Sequence, residues 1–340
     1  MKLIIQIPCL NEEGTLPDSL RDLPKQIPGV SRIEVLIIDD GSTDRTAQVA
    51  RELGVHHVVR HQKNRGLAAA FQTGIDRCLA LDADIIVNTD ADNQYPASFI
   101  PSLVRPILEG QADIAIGDRN ISSLVHLPWS HRLLQRLGTS VVRRVSGTDV
   151  PDAPSGFRAM SREAAMRMEV LTGYTYTLET ILQAGRIGLK IATVPIQTNR
   201  ATRVSRLKRS NLQYVFRSAV TILRIYALYQ PLKTFLLLAL PLLLGGIGLW
   251  ARYLVLLILG SAGRGAHIQS IVVGGAFILI AFLLSSLGIL GDMLAKARAL
   301  SERTLYLAKR SLYGPSHEAP APAVPAPPPP VVEREAPTSP

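Results

Sequence analysis

Residues 33–44 read Ile33-Glu34-Val35-Leu36-Ile37-Ile38-Asp39-Asp40-Gly41-Ser42-Thr43-Asp44, and residues 85–92 read Ile85-Ile86-Val87-Asn88-Thr89-Asp90-Ala91-Asp92. Each is a short apolar run that ends in carboxylates. A strand covered on both faces reads this way, and the acids then mark its carboxyl end. Working outward, Leu3–Ile7 and Val55–Val59 predict further strands, and Asp113–Gly117 a fifth. Between them, Glu13–Leu23, Asp44–Leu53 and Leu67–Leu79 predict helices, the second capped by Ser42 or Thr43. Strands and helices alternating at this spacing imply an α/β fold, a mostly parallel sheet with helices on both faces. Ligands of such sheets sit beyond the carboxyl ends of the strands, where Asp39, Asp40, Asp90 and Asp92 cluster.

That placement suits a metal-bound nucleotide diphosphate. Two carboxylates one residue apart can offer hard oxygen ligands to Mg²⁺ or Mn²⁺, with phosphate oxygens and water completing the shell. A glycine-rich phosphate loop ending in Lys-Ser/Thr is absent from the sequence, which argues against a P-loop NTPase. His56, His57 and His61 fall on or beside a strand, the first two on opposite faces, so surface histidines are expected there rather than a zinc site. Cys9 and Cys78 are the two cysteines, which excludes a disulfide framework and a cysteine-based zinc cluster.

The chain has 340 residues, enough for about two domains, and 47% of them are hydrophobic, so a large core is available. Its net charge of +10 points to an anionic partner. Met1–Cys9 is too short an apolar run for a signal peptide, so the N-terminal part is expected in the cytosol. The charge is uneven: no acid occurs between Glu179 and Asp292. Inside that interval Thr234–Ala251 is uncharged, Tyr253–Gly260 resumes the apolar run, and Ile271–Leu290 is uncharged throughout. Twenty residues of helix span about 30 Å, the thickness of a bilayer core, and two such segments predict a transmembrane hairpin over about 234–259 and 271–290. Arg217, Arg224 and Lys233 precede it, and Lys296, Arg298, Arg303, Lys309 and Arg310 follow it; the turn offers Arg252, Arg264 and His267. By the positive-inside rule both flanks are cytosolic. Gly245, Gly246, Gly248, Gly274 and Gly275 are expected to let the two helices pack closely.

Ahead of the first span, Leu212, Val215, Phe216, Ala219, Ile222, Leu223 and Tyr226 share one helical face, and Arg206, Arg209, Arg217 and Arg224 the opposite one. This is the pattern of a helix lying in the headgroup layer against membrane lipid. Nucleic acid is not the expected partner, because the basic face adjoins a span and only 5% of residues are aromatic. Residues 315–340 hold ten of the 23 prolines and predict an extended, disordered tail. The expected organisation is a cytosolic catalytic domain over 1–209, an interfacial helix over 210–230, the hairpin over 231–292, a basic cytosolic helix over 293–313 and the tail over 314–340.

Several short motifs carry a resemblance. Pro8-Cys9-Leu10-Asn11-Glu12-Glu13, the Asp39–Asp44 run, Asn64-Arg65-Gly66 and Asp90-Ala91-Asp92-Asn93-Gln94 resemble, in order and spacing, the family 2 glycosyltransferases of the GT-A fold. Gly117-Asp118-Arg119, Trp129 with Arg132, Ser155-Gly156-Phe157-Arg158, and Val194-Pro195-Ile196 followed by Arg200, Ser205 and Arg206 are similar to the dolichol-phosphate and undecaprenyl-phosphate sugar synthases. The resemblance covers about residues 1–209, with the two C-terminal spans typical of one subgroup. It implies that Pro8, Leu10, Glu12, Ile37, Asp39, Asp40, Asp90 and Ala91 bind the nucleotide, Asp39 reading base or ribose. It implies that Asp90, Asp92 and Gln94 hold Mg²⁺ or Mn²⁺. It assigns the acceptor phosphate to Arg119, Arg132, Arg200, Ser205 and Arg206, and catalysis to Asp92 with those four arginines. The family's Arg-x-x-Gly-x-Ser-Lys pattern differs here: Arg203 stands for the glycine and Arg206 for the lysine.

The reaction so implied is an inverting sugar transfer from a UDP- or GDP-sugar to a polyprenyl phosphate, undecaprenyl or dolichyl, at the cytosolic face of the inner cell membrane. The hairpins also offer a surface for a homo-oligomer. Two other readings compete. A processive polysaccharide synthase would carry more spans and a Gln-x-x-Arg-Trp signature, and neither is present. A non-catalytic membrane-anchored nucleotide-binding scaffold would need no intact acid pair.

Overall fold

The computed structural model describes residues 1–119, 139–140, 142–170, 176–199, 224, 229–259 and 268–314. The interfacial-helix segment, apart from Arg224, Tyr229 and Gln230, and the proline-rich tail lie outside the described residues, as does the hairpin turn at 260–267.

Seven strands form one sheet: β1 (Lys2–Cys9), β2 (Arg32–Asp39), β3 (His57–Arg60), β4 (Ile85–Asn88), β5 (Ile114–Asp118), β6 (Arg158–Ser161) and β7 (Ile191–Pro195). Their order is β3-β2-β1-β4-β6-β5-β7. All pairings are parallel except those of β6, which runs antiparallel to both β4 and β5. The mostly parallel α/β sheet expected from the acidic strand ends is thus present. β1 is buried over seven of its eight residues. Ile4, Leu36 and Ile38 face one core with Phe71 and Ile75; Leu3, Ile5, Ile7 and Ile37 face the other with Leu103 and Val104. Side chains alternate along a strand, so an unbroken apolar run is what two covered faces demand.

The helices are α1 (Leu16–Arg21), α2 (Thr46–Glu52), α3 (Leu67–Ala80), α4 (Ile100–Leu108), α5 (Arg162–Arg167), α6 (Tyr176–Ile187), α7 (Pro231–Ile258) and α8 (Ile268–Tyr313). α1 starts three residues later than predicted, because the backbone N–H groups of Asn11, Glu12 and Glu13 donate to Ser42, Thr46 and Asp44 after β2. The predicted cap of α2 is corrected: Ser42 and Thr43 do not cap it. Glu13 Oε2 accepts from Arg45 N at 2.9 Å and Asp44 Oδ1 from Thr46 N at 3.0 Å, while Ser42 Oγ accepts from Asn11 N at 2.9 Å.

α7 and α8 are each long and apolar enough to cross a membrane. Their apolar side chains face outward, with Leu237 74% and Phe282 66% exposed, so they are not core helices of a water-soluble unit. They touch at Gly246 and Gly274, where a Cβ on Gly246 would stand 2.7 Å from the Gly274 carbonyl oxygen. A Cβ on Gly248, by contrast, would meet open space, so not every glycine of the stripe serves the contact. α8 runs on past its apolar part without a break, 46 residues or about 69 Å. Its far end lies on the sheet domain. Arg298 Nη2 is 3.0 Å from Glu179, Tyr306 donates to Glu163 at 2.7 Å, and Lys309 Nζ is 3.0 Å from Asp76 and 2.8 Å from Glu169.

Candidate active site at the carboxyl ends of β1, β2 and β4

β1 lies between β2 and β4, and the register pairs Cys9 with Asp39 and Gln6 with Asn88. Asp39 and the Asp90 loop therefore leave the sheet at the same edge, on either side of one strand, about 10 Å apart at the usual strand spacing. A cleft of about 560 Å³ opens there. Pro8, Leu10, Glu12, Asp40, Asp90, Ala91 and Asp92, all singled out from the sequence, line it, and Asn64, Gly66 and Leu67 close its other side.

Local hydrogen bonds fix each wall. Asn11 adopts a left-handed backbone, φ 55°, which asparagine tolerates, and its Oδ1 accepts from Thr43 N at 2.8 Å. Glu12 N donates to Thr46 Oγ1 at 2.8 Å, and Glu12 Oε2 accepts from Thr15 Oγ1 at 2.6 Å. Asp40 holds the opposite wall: its carboxylate accepts from Arg65 N at 2.9 Å and Gly66 N at 2.8 Å, and meets His61 Nδ1 at 2.7 Å. The loop crosses so close to Gly41 that a Cβ there would fall 2.6 Å from the Lys63 carbonyl carbon. The expectation of surface histidines is corrected at His61, which is buried between Asp40 and Thr73. His57 instead meets Glu34 at 2.8 Å.

Two predicted nucleotide residues lie beneath the cleft rather than on it. Ile37 is fully buried in the core beside Ile5 and Ile7. Asp39 is fully buried; its Oδ1 accepts from Ser42 N at 2.9 Å. Its Oδ2 lies 3.1 Å from Arg60 Nε, outside hydrogen-bonding geometry, and is a buried acceptor without a hydrogen bond in the described structure.

At the end of β4, burial and the neighbouring charge of Asp92 push the Asp90 carboxyl up to about 6. Two crowded carboxylates of which one resists ionisation fit a cation-binding role, since a divalent ion relieves the repulsion. Asp92 Oδ1 accepts from Gln94 N at 3.1 Å. The Gln94 carbonyl accepts from Asn199 N at 3.0 Å, and Asn199 Nδ2 donates to the Asn93 carbonyl at 2.9 Å. The chain leading to Arg200 is thereby fastened to the acidic loop. Arg132, Arg200, Ser205 and Arg206 lie outside the described residues. Arg119 is bound in a fork by Asp152, Nε to Oδ2 at 2.7 Å and Nη2 to Oδ1 at 2.9 Å. That pairing raises its pKa and keeps it cationic. Nη1 takes no part in the fork.

A polar network under Asp90 went unrecognised in the sequence. Gln6 Nε2 donates to Asn88 Oδ1 at 3.0 Å; Asn88 Nδ2 donates to the Gly156 carbonyl at 2.9 Å and to Tyr176 Oη at 3.1 Å. Arg158, fully buried, donates to Thr177 O at 3.2 Å, to Thr180 Oγ1 and to Ser155 O, with its guanidinium 5.5 Å from the Tyr176 ring centre. A Cβ on Gly156 would stand 3.3 and 3.4 Å from the Asp90 oxygens. The available signal was the pair of amides, Gln6 and Asn88, interrupting two otherwise apolar strands.

The carboxyl edge of the sheet thus brings together a polar cleft with two carboxylates and, just after β5, a fixed arginine whose charge reaches Asp90. Comparison with known proteins agrees. The glycosyl transferase family 2 pattern matches residues 4–168. A dolichyl-phosphate hexose transferase of Haloferax volcanii is 30% identical over 194 residues, 57% of this chain and 81% of that one. A polyprenol monophosphomannose synthase of Mycolicibacterium smegmatis is 28% identical over 224 residues, 62% and 83% of the two chains. Among solved structures, glucosyl-3-phosphoglycerate synthase of Mycobacterium tuberculosis in complex with Mn²⁺ and UDP-glucose matches with 25% identity and a TM-score of 0.50, over 66% of this chain and 78% of that one.

Proposed function

The chain belongs to glycosyl transferase family 2, and from that premise we propose that it moves a sugar from a UDP- or GDP-sugar to a polyprenyl phosphate at the cytosolic face of a membrane, inverting the anomeric carbon. The observation that carries this reading is the acidic end of β4 opening into the same cleft as the end of β1, beside a domain braced against two exposed apolar helices. Relatives named as polyprenol and dolichyl-phosphate sugar transferases support the acceptor class.

In this account Pro8, Leu10, Glu12 and Ala91 line the nucleotide groove, with Ile37, Asp39 and Asp40 supporting it from below. Asp90 and Asp92, with Gln94, hold Mg²⁺ or Mn²⁺, which when bound neutralises charge on the departing nucleoside diphosphate. Asp90 must then lose its proton, and the side chain's pKa near 6 allows that at neutral pH. The acceptor phosphate, with a second pKa near ~6, is already anionic and needs no strong base. It needs positive charge to approach a diphosphate, and Arg119, Arg132, Arg200 and Arg206, with Ser205, supply it. Asp152 fixes Arg119 through Nε and Nη2, which orients its guanidinium and leaves Nη1 outside that fork.

Membranes carrying the chain, incubated with a panel of labelled nucleotide sugars and extracted with organic solvent, test the proposal. One donor should yield a lipid-soluble labelled product that EDTA abolishes. Label confined to the aqueous phase with every donor, or transfer indifferent to EDTA, would overturn it.

A further inference from the structure

The buried residues of α8 fall on one line: Gly274, Ala281, Gly288 and Lys309 stand at multiples of seven residues from one another. α7 covers that line at Gly274 and Gly288, and Asp76 and Glu169 of the sheet domain cover it at Lys309. The opposite side of the helix carries a second line. Beyond the apolar run it reads Met293, Ala297, Leu300, Thr304, Leu307 and Ser311, in alternating steps of four and three, and the same steps lead back to Leu290 and on into the span. None of the seven charged residues in 291–313 falls on it. All six residues are exposed, Leu300 by 66% and Leu307 by 54%. Apolar and small residues in four-three register, with charge kept to the flanks, make a coiled-coil seam.

Lipid does not reach this seam. Leu300 and Leu307 stand about 15 Å and about 25 Å of helix beyond Leu290, where the uncharged run ends, and the headgroup layer is roughly 5–7 Å deep. A second copy does reach it. Copies inserted in one bilayer with the same orientation hold the same residues at the same height, so like meets like in parallel register. The flanking cations Lys296 and Arg303 then face Ser301 and Ala308 of the other copy, five residues further on, and not each other. Along α8, about 69 Å long, a strip ~10 Å wide covers roughly 700 Å² per copy, close to the ~800 Å² per side of a stable pair.

We propose that this stripe is the seam of a parallel, two-fold coiled coil between two copies of the chain. The inference rests on α7 and α8 spanning the membrane, as read above. Because the other side of the same helix grips the sheet domain, the pairing sets two sheet domains on the outer flanks of one central helix pair.

The full chain, labelled with donor or acceptor dye in separate batches, is reconstituted in phosphatidylcholine vesicles, and energy transfer between copies is followed as the protein is diluted in lipid. The wild type should pair. Leu300→Glu/Leu307→Glu removes two large apolar side chains and sets like charges opposite each other, so it should need at least about a hundredfold more protein per lipid to pair. Leu305→Glu/Leu312→Glu, the same change on α8 off the seam, should pair as the wild type does. Leu300→Cys should form a disulfide-linked pair in oxidised membranes, and Leu305→Cys should not. Equal pairing by the wild type and Leu300→Glu/Leu307→Glu overturns the seam. So does a monomeric wild type; a monomer whose Leu300→Cys thiol also resists maleimide would show another part of the same chain lying on the stripe. If the membrane reading itself were wrong, the wild type would stay soluble without detergent and leave vesicles unbound. Failure of the seam alone leaves vesicle insertion and sugar transfer intact.

Discussion

Gly156 and Asp90 show how closely the cleft floor is fitted. A methyl group on Gly156 would meet Tyr176 Oη at 2.8 Å and both Asp90 oxygens below 3.5 Å. Gly156→Ala should therefore displace the Asp90 carboxylate and lower kcat/KM about ten- to a hundredfold, a loss partly recovered at high Mn²⁺ and read in initial-rate titrations with metal. Asp90 itself is held in a form that disfavours folding. Its pKa is raised from 3.8 to about 6, so between those values the folded chain keeps a proton that the unfolded chain has lost. Stability from this group is complete below about pH 4 and falls as pH rises through 6, a cost on the order of 3 kcal/mol at pH 8 without metal. Asp90→Asn should raise the metal-free melting temperature by several degrees at pH 8 and leave it unchanged near pH 4, while abolishing transfer. An equal gain at both pH values would show that ionisation of Asp90 is not the cause. Wild-type turnover should fall as pH drops below 6, where the ligand becomes protonated.

At the scale of elements, what the sequence made legible was what depends on local pattern. β1, β2 and β4 are buried on both faces and announce themselves as apolar runs, and Asp90 and Asp92 follow directly from where β4 stops. β6 was not legible as a strand: Arg158-Ala159-Met160-Ser161 opens with an arginine whose burial is made tolerable by Ser155, Thr177, Thr180 and Tyr176, partners that only the tertiary fold supplies. β7, half-buried at the sheet's edge, lacks the strong pattern of a central strand. The cap of α2 failed for a related reason, since Glu13 reaches it from a segment 32 residues away. The basic helix after the hairpin was foreseen, but not its docking. Lys309 reads as one more solvated cation, yet it is buried between Asp76 on α3 and Glu169. Lys309→Met should free the end of α8 at a cost of about 2 kcal/mol, below a fully buried pair because Asp76 is half in solvent. Faster amide exchange over 300–313, with the sheet unaffected, is the expected result; unchanged protection there would show that the ion pairs do not hold the helix.

For the whole molecule, α8 is the feature that joins its two halves. One unbroken helix carries the hairpin's second leg and then grips α3, α5 and α6 through Lys309, Tyr306 and Arg298. α3 begins at Leu67 on the wall of the cleft, so the same helix that meets Lys309 near one end lines the cleft at the other. On the proposed reading the site is thereby held at a set distance from the bilayer, which a lipid-borne acceptor requires and a soluble one does not. The decisive measurement uses the purified full chain in lipid nanodiscs containing undecaprenyl phosphate, supplied with labelled nucleotide sugar and Mg²⁺ or Mn²⁺. Label in the organic phase is compared for wild type and Asp92→Asn at equal melting temperature. The account predicts metal-dependent product from the wild type and about a hundredfold less from the variant; product formed at the same rate by both would contradict it.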